Sequence, residues 1–290
     1  MDRRGFLRAV GMASASALGA ERAGAAAGGG GDAGEELRGV LVDTTRCVGC
    51  RTCELACAEE HGLPPPDIDD GSAMDQRRET SQTQWTVVNR FDTSAGEVFV
   101  RKQCMHCNQP ACASACLTKA MHKNPSGPVT WDEGKCMGCR FCMVSCPFDV
   151  PKFEYGKAIP RIQKCSMCWE RLQEGGVPAC VENCPAEALS FGTRRELLDL
   201  ARARIAEAPE AYVHHIYGER EAGGTGWLYL AAAPFGELGF STAIESTPYP
   251  ELTTGFLYSV PVVLILWPAF MLGLNSATKP ETAQAGEGSR

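Results

Sequence analysis

The sixteen cysteines of this 290-residue sequence fall into four tight groups with none left over. The groups are Cys47, Cys50, Cys53, Cys57; Cys104, Cys107, Cys112, Cys116; Cys136, Cys139, Cys142, Cys146; and Cys165, Cys168, Cys180, Cys184. Four sets of four thiolates are what four [4Fe-4S] clusters require. In C-x2-C-x2-C-x3-C three sulfurs share one tight loop; the fourth stands a helical turn away and, in two-cluster ferredoxins, ligates the other cluster. The first and third groups follow that spacing to the residue, and proline follows Cys146 and Cys184 as it usually follows a fourth ligand. The second and fourth groups keep C-x2-C and x3-C but widen the middle gap, to residues 108–111 and 169–179.

Rival chemistries fit the pattern less well. A tetrahedral zinc site has no use for a third cysteine two residues on and a fourth three later, repeated along the chain. Cysteines two or three residues apart are poor disulfide partners, and a chain of this length builds a core without staples. No nucleophile-base constellation, Rossmann glycine pattern or phosphate loop accompanies the cysteines, so no residue argues for chemistry on a substrate. A reductase using one cluster as a Lewis acid needs an iron without a cysteine, whereas sixteen ligands cap sixteen irons. His106, between two ligands, reads as a packing histidine or a donor to a cluster sulfur. His214 and His215 read as surface or interface residues, and Trp169, beside Cys168, as a shield for a cluster.

Both termini say where such a protein works. Asp2-Arg3-Arg4-Gly5-Phe6-Leu7-Arg8, a mild apolar stretch to Ala20 and small residues through Ala27 form a twin-arginine signal over residues 1–27. That route exports folded, cofactor-loaded proteins, which explains clusters on an exported chain. From Leu252 to Leu274 there is no charge, and a helix of that length rises roughly 35 Å, enough to cross a bilayer core. Pro261 and Pro268 are tolerated in such a helix, and Tyr258 and Trp267 suit its interfaces. The tail, 275–290, is then cytoplasmic. Removing residues 1–27 takes away four basic and two acidic side chains, moving the formal charge from -7 to about -9, which argues against nucleic acid as a partner. Between Arg101 and Arg171, however, eleven Lys or Arg face five Asp or Glu. These are either a solvated basic face or charges that offset anionic clusters and raise their potentials.

The elements that position the cysteines follow from the intervening sequence. After a linker, 28–38, residues 39–192 read as the four-cluster domain. Gly39–Asp43 is strand-like and leads into the first cysteine loop, and residues 61–84 form a polar insertion. Trp85–Val88 and Glu97–Val100 read as a hairpin feeding the second loop, and Val129–Trp131 feeds the third. Within residues 193–251, Thr193-Arg194-Arg195-Glu196 is a capping box opening a helix with an apolar stripe at Leu197, Leu200, Ala201 and Ile205. Residues 213–240, rich in glycine and aromatics, are expected to run along the surface to the anchor. The fold class is α+β: tandem bacterial-ferredoxin-like domains of small strands and short helices, with one C-terminal transmembrane helix.

The four-group pattern resembles the iron-sulfur subunits of membrane-bound bacterial respiratory oxidoreductases, such as formate dehydrogenase and dimethyl sulfoxide reductase beta subunits, and within them the HybA type. The resemblance rests on Arg101–Cys107, Cys139–Phe148 with Val150–Phe153, Phe191–Leu197 and Tyr217–Thr225. It implies crossed ligand sharing: Cys47, Cys50, Cys53 with Cys184; Cys165, Cys168, Cys180 with Cys57; Cys104, Cys107, Cys112 with Cys146; and Cys136, Cys139, Cys142 with Cys116. Spacing alone leaves open the pairing of neighbouring motifs. Leu117 departs from the pattern by replacing the usual proline after Cys116, which predicts a looser turn there. The implied role is an electron-transfer subunit, not itself an enzyme, relaying electrons between a periplasmic catalytic subunit, a hydrogenase or a molybdopterin enzyme, and a quinone-reactive integral membrane subunit. The implied location is the periplasmic face of the cytoplasmic membrane, reached through the twin-arginine machinery.

Overall fold

The computed structural model describes residues 36–278. The twin-arginine segment, residues 28–35 of the linker and residues 279–290 of the tail lie outside them. The described chain forms two units that meet in sequence at Leu252 and Thr253, and each is treated by itself.

The first unit is organised by a three-stranded sheet of β1 (Arg38–Asp43), β8 (Leu189–Thr193) and β9 (Trp227–Leu230), in the order β8-β1-β9. β1 pairs antiparallel with β8, Val40 opposite Phe191, and parallel with β9, Val40 opposite Trp227. This corrects the surface path expected for residues 213–240. Trp227, Leu228, Tyr229 and Leu230 are all buried, because an unbroken apolar run paired in parallel is a strand covered on both faces. Helix α6 (Arg194–Glu207) lays Leu197, Leu198 and Ala201 against Leu41, Leu228 and Leu230 on one side of the sheet. Thr193 caps it: its hydroxyl accepts from the Glu196 N–H, and the Glu196 carboxylate accepts from the Thr193 N–H. Leu200, assigned to the apolar stripe, is instead exposed, since positions 197, 198 and 201 already fill the arc that faces the strands.

The other side of the sheet carries the cysteine loops. β9 braces the second of them: the Gly226 N–H donates to the Met105 carbonyl at 3.0 Å and the Asn108 N–H to the Gly224 carbonyl at 2.9 Å. A hairpin of β2 (Val87–Thr93) and β3 (Gly96–Lys102) enters the second loop, and a short pair, β4 (Met121–Lys123) with β5 (Val129–Trp131), lies between the second and third. β6 (Lys152–Phe153) and β7 (Ile162–Gln163) pair ahead of the fourth. Cysteine-bearing helices are short: α1 (Thr52–Glu60), α2 (Ala111–Ser114), α3 (Phe141–Val144), α4 (Trp169–Gln173) and α5 (Ala179–Glu182). The α1 and α5 helices pack together, as do α2 and α3.

The insertion 61–84 is irregular apart from one 3-10 turn, Gly71–Met74. It is stitched down by charge: buried Glu54 on α1 accepts from Arg51 at 3.2 Å, Arg78 at 2.5 Å and the Val88 N–H at 2.6 Å. A buried carboxylate satisfied by two guanidinium groups and a backbone donor is the arrangement that offsets its desolvation.

Helix α7 (Tyr249–Thr278), which belongs to the second unit from Thr253 on, continues three residues before and four after the uncharged run 252–274, with Pro261 and Pro268 inside it. It is long and apolar enough to cross a membrane, and none of its apolar window is buried.

Candidate metal centres

Each cysteine loop turns at the same place. The second residue after the first cysteine has positive φ in all four motifs: Gly49 (70°), His106 (47°), Gly138 (72°) and Met167 (59°). Arg51, Arg140 and Cys168 add further left-handed turns (59°, 61° and 51°). Alternating the backbone in this way aims successive N–H groups into one concavity, a nest that suits an anion and recurs at iron-sulfur sites. Left-handed Arg, His and Met are costly, so their recurrence at equivalent positions marks a shared constraint. Gly49 has a second reason: a Cβ there would meet the Phe99 ring at 2.5 Å.

The fourth cysteines share a second device. Lys119, Asp149 and Glu187, each three residues past Cys116, Cys146 and Cys184, have φ of 56°, 49° and 48°. In all three the N–H donates to the cysteine's carbonyl at 3.2 Å. The turn after Cys116 is therefore not loosened by Leu117; it matches the two that carry proline, and the Met121 N–H donates to the Cys116 sulfur at 3.4 Å. Cys57 differs, because α1 runs on to Glu60.

All sixteen thiols are free; seven are buried, seven are half-buried, and two, Cys50 and Cys139, are exposed. Burial pushes Cys53, Cys112 and Cys165 up to about 12 and Cys142 and Cys168 up to about 11. At Cys116 burial also acts upward, but hydrogen bonds from the Met121 N–H and from Thr118 outweigh it and the thiol is lowered. So many buried thiols ionise together only when a metal takes up the charge.

Charge couplings show which thiols stand together. Cys47 feels Cys50 and Cys184, and Cys47, Cys50, Cys53 and Cys184 line one cavity. Cys57 feels Cys165, Cys180 and Cys168. Cys107 feels Cys104, Cys146 and Cys112, and Cys142 feels Cys116, Cys136 and Cys139. Further couplings link one set to the next: Cys53 to Cys180, Cys165 to Cys104, and Cys112 to Cys142. Among the described residues no three His, Cys, Asp or Glu converge to hold a single metal ion. A cubane takes its thiolates at separate corners.

The buried polar atoms that lack a protein partner include one on His106 and one on Arg101. His106 is fully buried; its Nδ1 accepts from the Val129 N–H at 2.9 Å, which puts the proton on Nε2, and Nε2 has no partner. Burial, helped by Lys164 and Lys123, holds this imidazole neutral. Arg101 Nη1 is also unpartnered. Anionic clusters with sulfur acceptors fit such donors and the nests alike.

Several neighbours carry no pattern signal in the sequence. Lys164 donates to the Val129 and Cys165 carbonyls, at 2.5 and 2.9 Å, and Lys123 to the Cys107 carbonyl at 2.9 Å. His61 lies 3.5 Å from the Cys168 sulfur, its ring 4.6 Å from that of Trp85. Only their nearness in sequence to a motif, one residue for Lys164 and three for Arg101, hints at a role. Trp169 is half-buried at the start of α4. His214 is exposed, and His215 pairs with Glu221 at 2.7 Å.

A family model described as a 4Fe-4S dicluster domain matches residues 96–194. A protein of Nitratidesulfovibrio vulgaris (strain Hildenborough) is 47% identical, over 99% of this chain and 80% of its own length. The hydrogenase-2 operon protein HybA of Escherichia coli O157:H7 is 37% identical over 69% of this chain and 71% of its own. The iron-sulfur subunit of nitrate-inducible formate dehydrogenase from Escherichia coli K12 is 34% identical over 66% of each.

Proposed function

The chain belongs to the HybA-type ferredoxin family of electron-transfer subunits, and from that premise we propose that it carries four [4Fe-4S] clusters as a linear relay. The observation that carries this reading is that the fourth cysteine of each motif lies among the first three of another. The ligand sets are Cys47, Cys50, Cys53, Cys184; Cys165, Cys168, Cys180, Cys57; Cys104, Cys107, Cys112, Cys146; and Cys136, Cys139, Cys142, Cys116. In that order each set is coupled to the next, and the two exposed thiols, Cys50 and Cys139, belong to the two end sets. A relay needs buried middle centres and reachable ends. When bound, the clusters supply one-electron redox chemistry; the chain's residues hold them, exclude water and set the charge around them.

The catalytic partner we favour is a hydrogenase, in line with the relative named for a hydrogenase operon. The same relay serving a molybdopterin enzyme is the alternative, because the formate dehydrogenase subunit is nearly as similar. Electrons then pass to or from a quinone-reactive membrane subunit. The twin-arginine segment and α7 support export and anchoring at the periplasmic face of the cytoplasmic membrane. Purification of the intact membrane complex, with identification of its catalytic subunit, separates the two partners.

The ligand sets have their own test. Cys47→Ser and Cys184→Ser each are expected to remove the same cluster, leaving about twelve irons of about sixteen, and the double variant no fewer. A double variant with about eight irons sinks the crossed sharing.

A further inference from the structure

Arg101 is a buried cation without a carboxylate. It is 3% exposed, and among the described residues no Asp or Glu forms an ion pair with it. Its Nε donates to the Thr86 hydroxyl at 2.6 Å, its guanidinium lies 4.6 Å from the centre of the Trp227 ring, and Nη1 has no partner. A buried charge left without a counter-charge is strongly destabilising, so the protein must place negative charge nearby by other means. The nearby groups are cysteines. Arg101 lines the same cavity as Cys47, Cys50, Cys53 and Cys184. The thiols whose charge it feels most are Cys180, Cys53, Cys165 and Cys57, one from the first set (Cys53) and three from the second.

We propose that Arg101 is the shared counter-cation of two neighbouring clusters, one held by Cys47, Cys50, Cys53 and Cys184 and the other by Cys165, Cys168, Cys180 and Cys57, and that its fixed charge raises both reduction potentials. The inference rests on the ligand sets given above. A thiolate-ligated cubane is anionic and gains one further negative charge on reduction, so a fixed cation beside it favours the reduced form. A cation common to two clusters also screens each from the other, so that reducing one hinders reduction of its neighbour less. Arginine suits this place because it stays charged in a dry site and its flat face stacks on an indole. The Thr86 hydroxyl and the Trp227 ring fix its position. Lys123 acts elsewhere, on the Cys107 carbonyl, whereas Lys164 lies between sets, donating to the Cys165 carbonyl and felt by Cys112.

The test is a redox titration of the intact complex, followed by electron paramagnetic resonance, with iron counted on each preparation. Arg101→Gln should move two of the four redox components to lower potential. At a fixed ambient potential their reduced-to-oxidised ratio should fall on the order of tenfold, about 59 mV for a one-electron centre. The other two should stay in place, Arg101→Lys should restore most of the shift, and Lys123→Gln should leave the affected pair where it was. The proposal is overturned if Arg101→Gln moves none or moves all four alike, or if the lysine variant falls as far as the glutamine one. Should Arg101→Gln lose iron, Thr86→Val decides: it frees Nε but keeps the charge, and with full iron it must shift the same two components, by less. A wild-type complex without four components or about sixteen irons would instead defeat the ligand sets.

Discussion

At the residue scale the cysteines were readable from spacing because cluster ligation demands sulfurs at fixed intervals along one loop. The second layer was not. Arg101 and Lys164 were visible only as members of a basic segment, and nothing in the sequence separates them from solvated Lys157 or Lys135, since burial is decided by strands distant in sequence. The left-handed turn that Gly49 and Gly138 share with His106 and Met167 is a backbone property that residue type only partly encodes. Gly49→Ala tests the turn. It combines a left-handed cost of roughly 1–2 kcal/mol with a Cβ at 2.5 Å from Phe99, so the expected result is loss of the Cys47 set's cluster and iron falling to about twelve per chain. Gly156→Ala, where a Cβ meets nothing within 4 Å, should keep full iron in the same assay.

At the element scale local signals were the dependable ones. The capping box at Thr193 and the hairpin into the second cysteine loop are short-range devices, and the structure contains both. β9 escaped because its partner, β1, lies more than 180 residues earlier, and Trp-Leu-Tyr-Leu without alternation reads equally as a surface aromatic stretch or a covered strand. Leu228→Ala on that strand should cost about 2–5 kcal/mol, seen as a lower urea midpoint for bleaching of the visible cluster absorption. A change within error would mean that β9 contributes little to the core. Thr193→Ala should cost about 1 kcal/mol at neutral pH in the same measurement. The Thr193 hydroxyl and backbone N–H hold the Glu196 carboxyl below its usual range, so this reciprocal contribution is present above the ordinary carboxylate pKa and is lost as pH falls through the depressed value. The penalty of the variant should accordingly shrink in acid, and a penalty that grows would contradict the capping box as its source.

At the scale of the whole molecule, the relay proposed above would have to meet a partner at both ends, and its surface should differ there from elsewhere. The Cys136 set supplies that difference. Leu117 is 84% exposed and Val144 81% exposed, and Met137 and Phe141 beside them are exposed as well, all on the loop and helices that carry Cys116 and Cys136–Cys146. Large exposed apolar side chains close in sequence to Cys116 and to exposed Cys139 have the composition of a protein-protein contact. The missing proline after Cys116 takes on a meaning in this light: its turn is intact without it, and leucine instead adds apolar surface at the relay's end. Replacing Leu117 and Val144 together by Glu places two charges where a partner's apolar surface would have to desolvate them, while touching no ligand, turn hydrogen bond or core contact. The expected outcome is full iron and unchanged visible absorption in the isolated chain, with at least a tenfold loss of chain recovered in the membrane complex, about 1.4 kcal/mol or more. Recovery equal to wild type would remove this end from the docking surface and leave the Cys47 end, with exposed Cys50 and Val48, as the place where a partner is held.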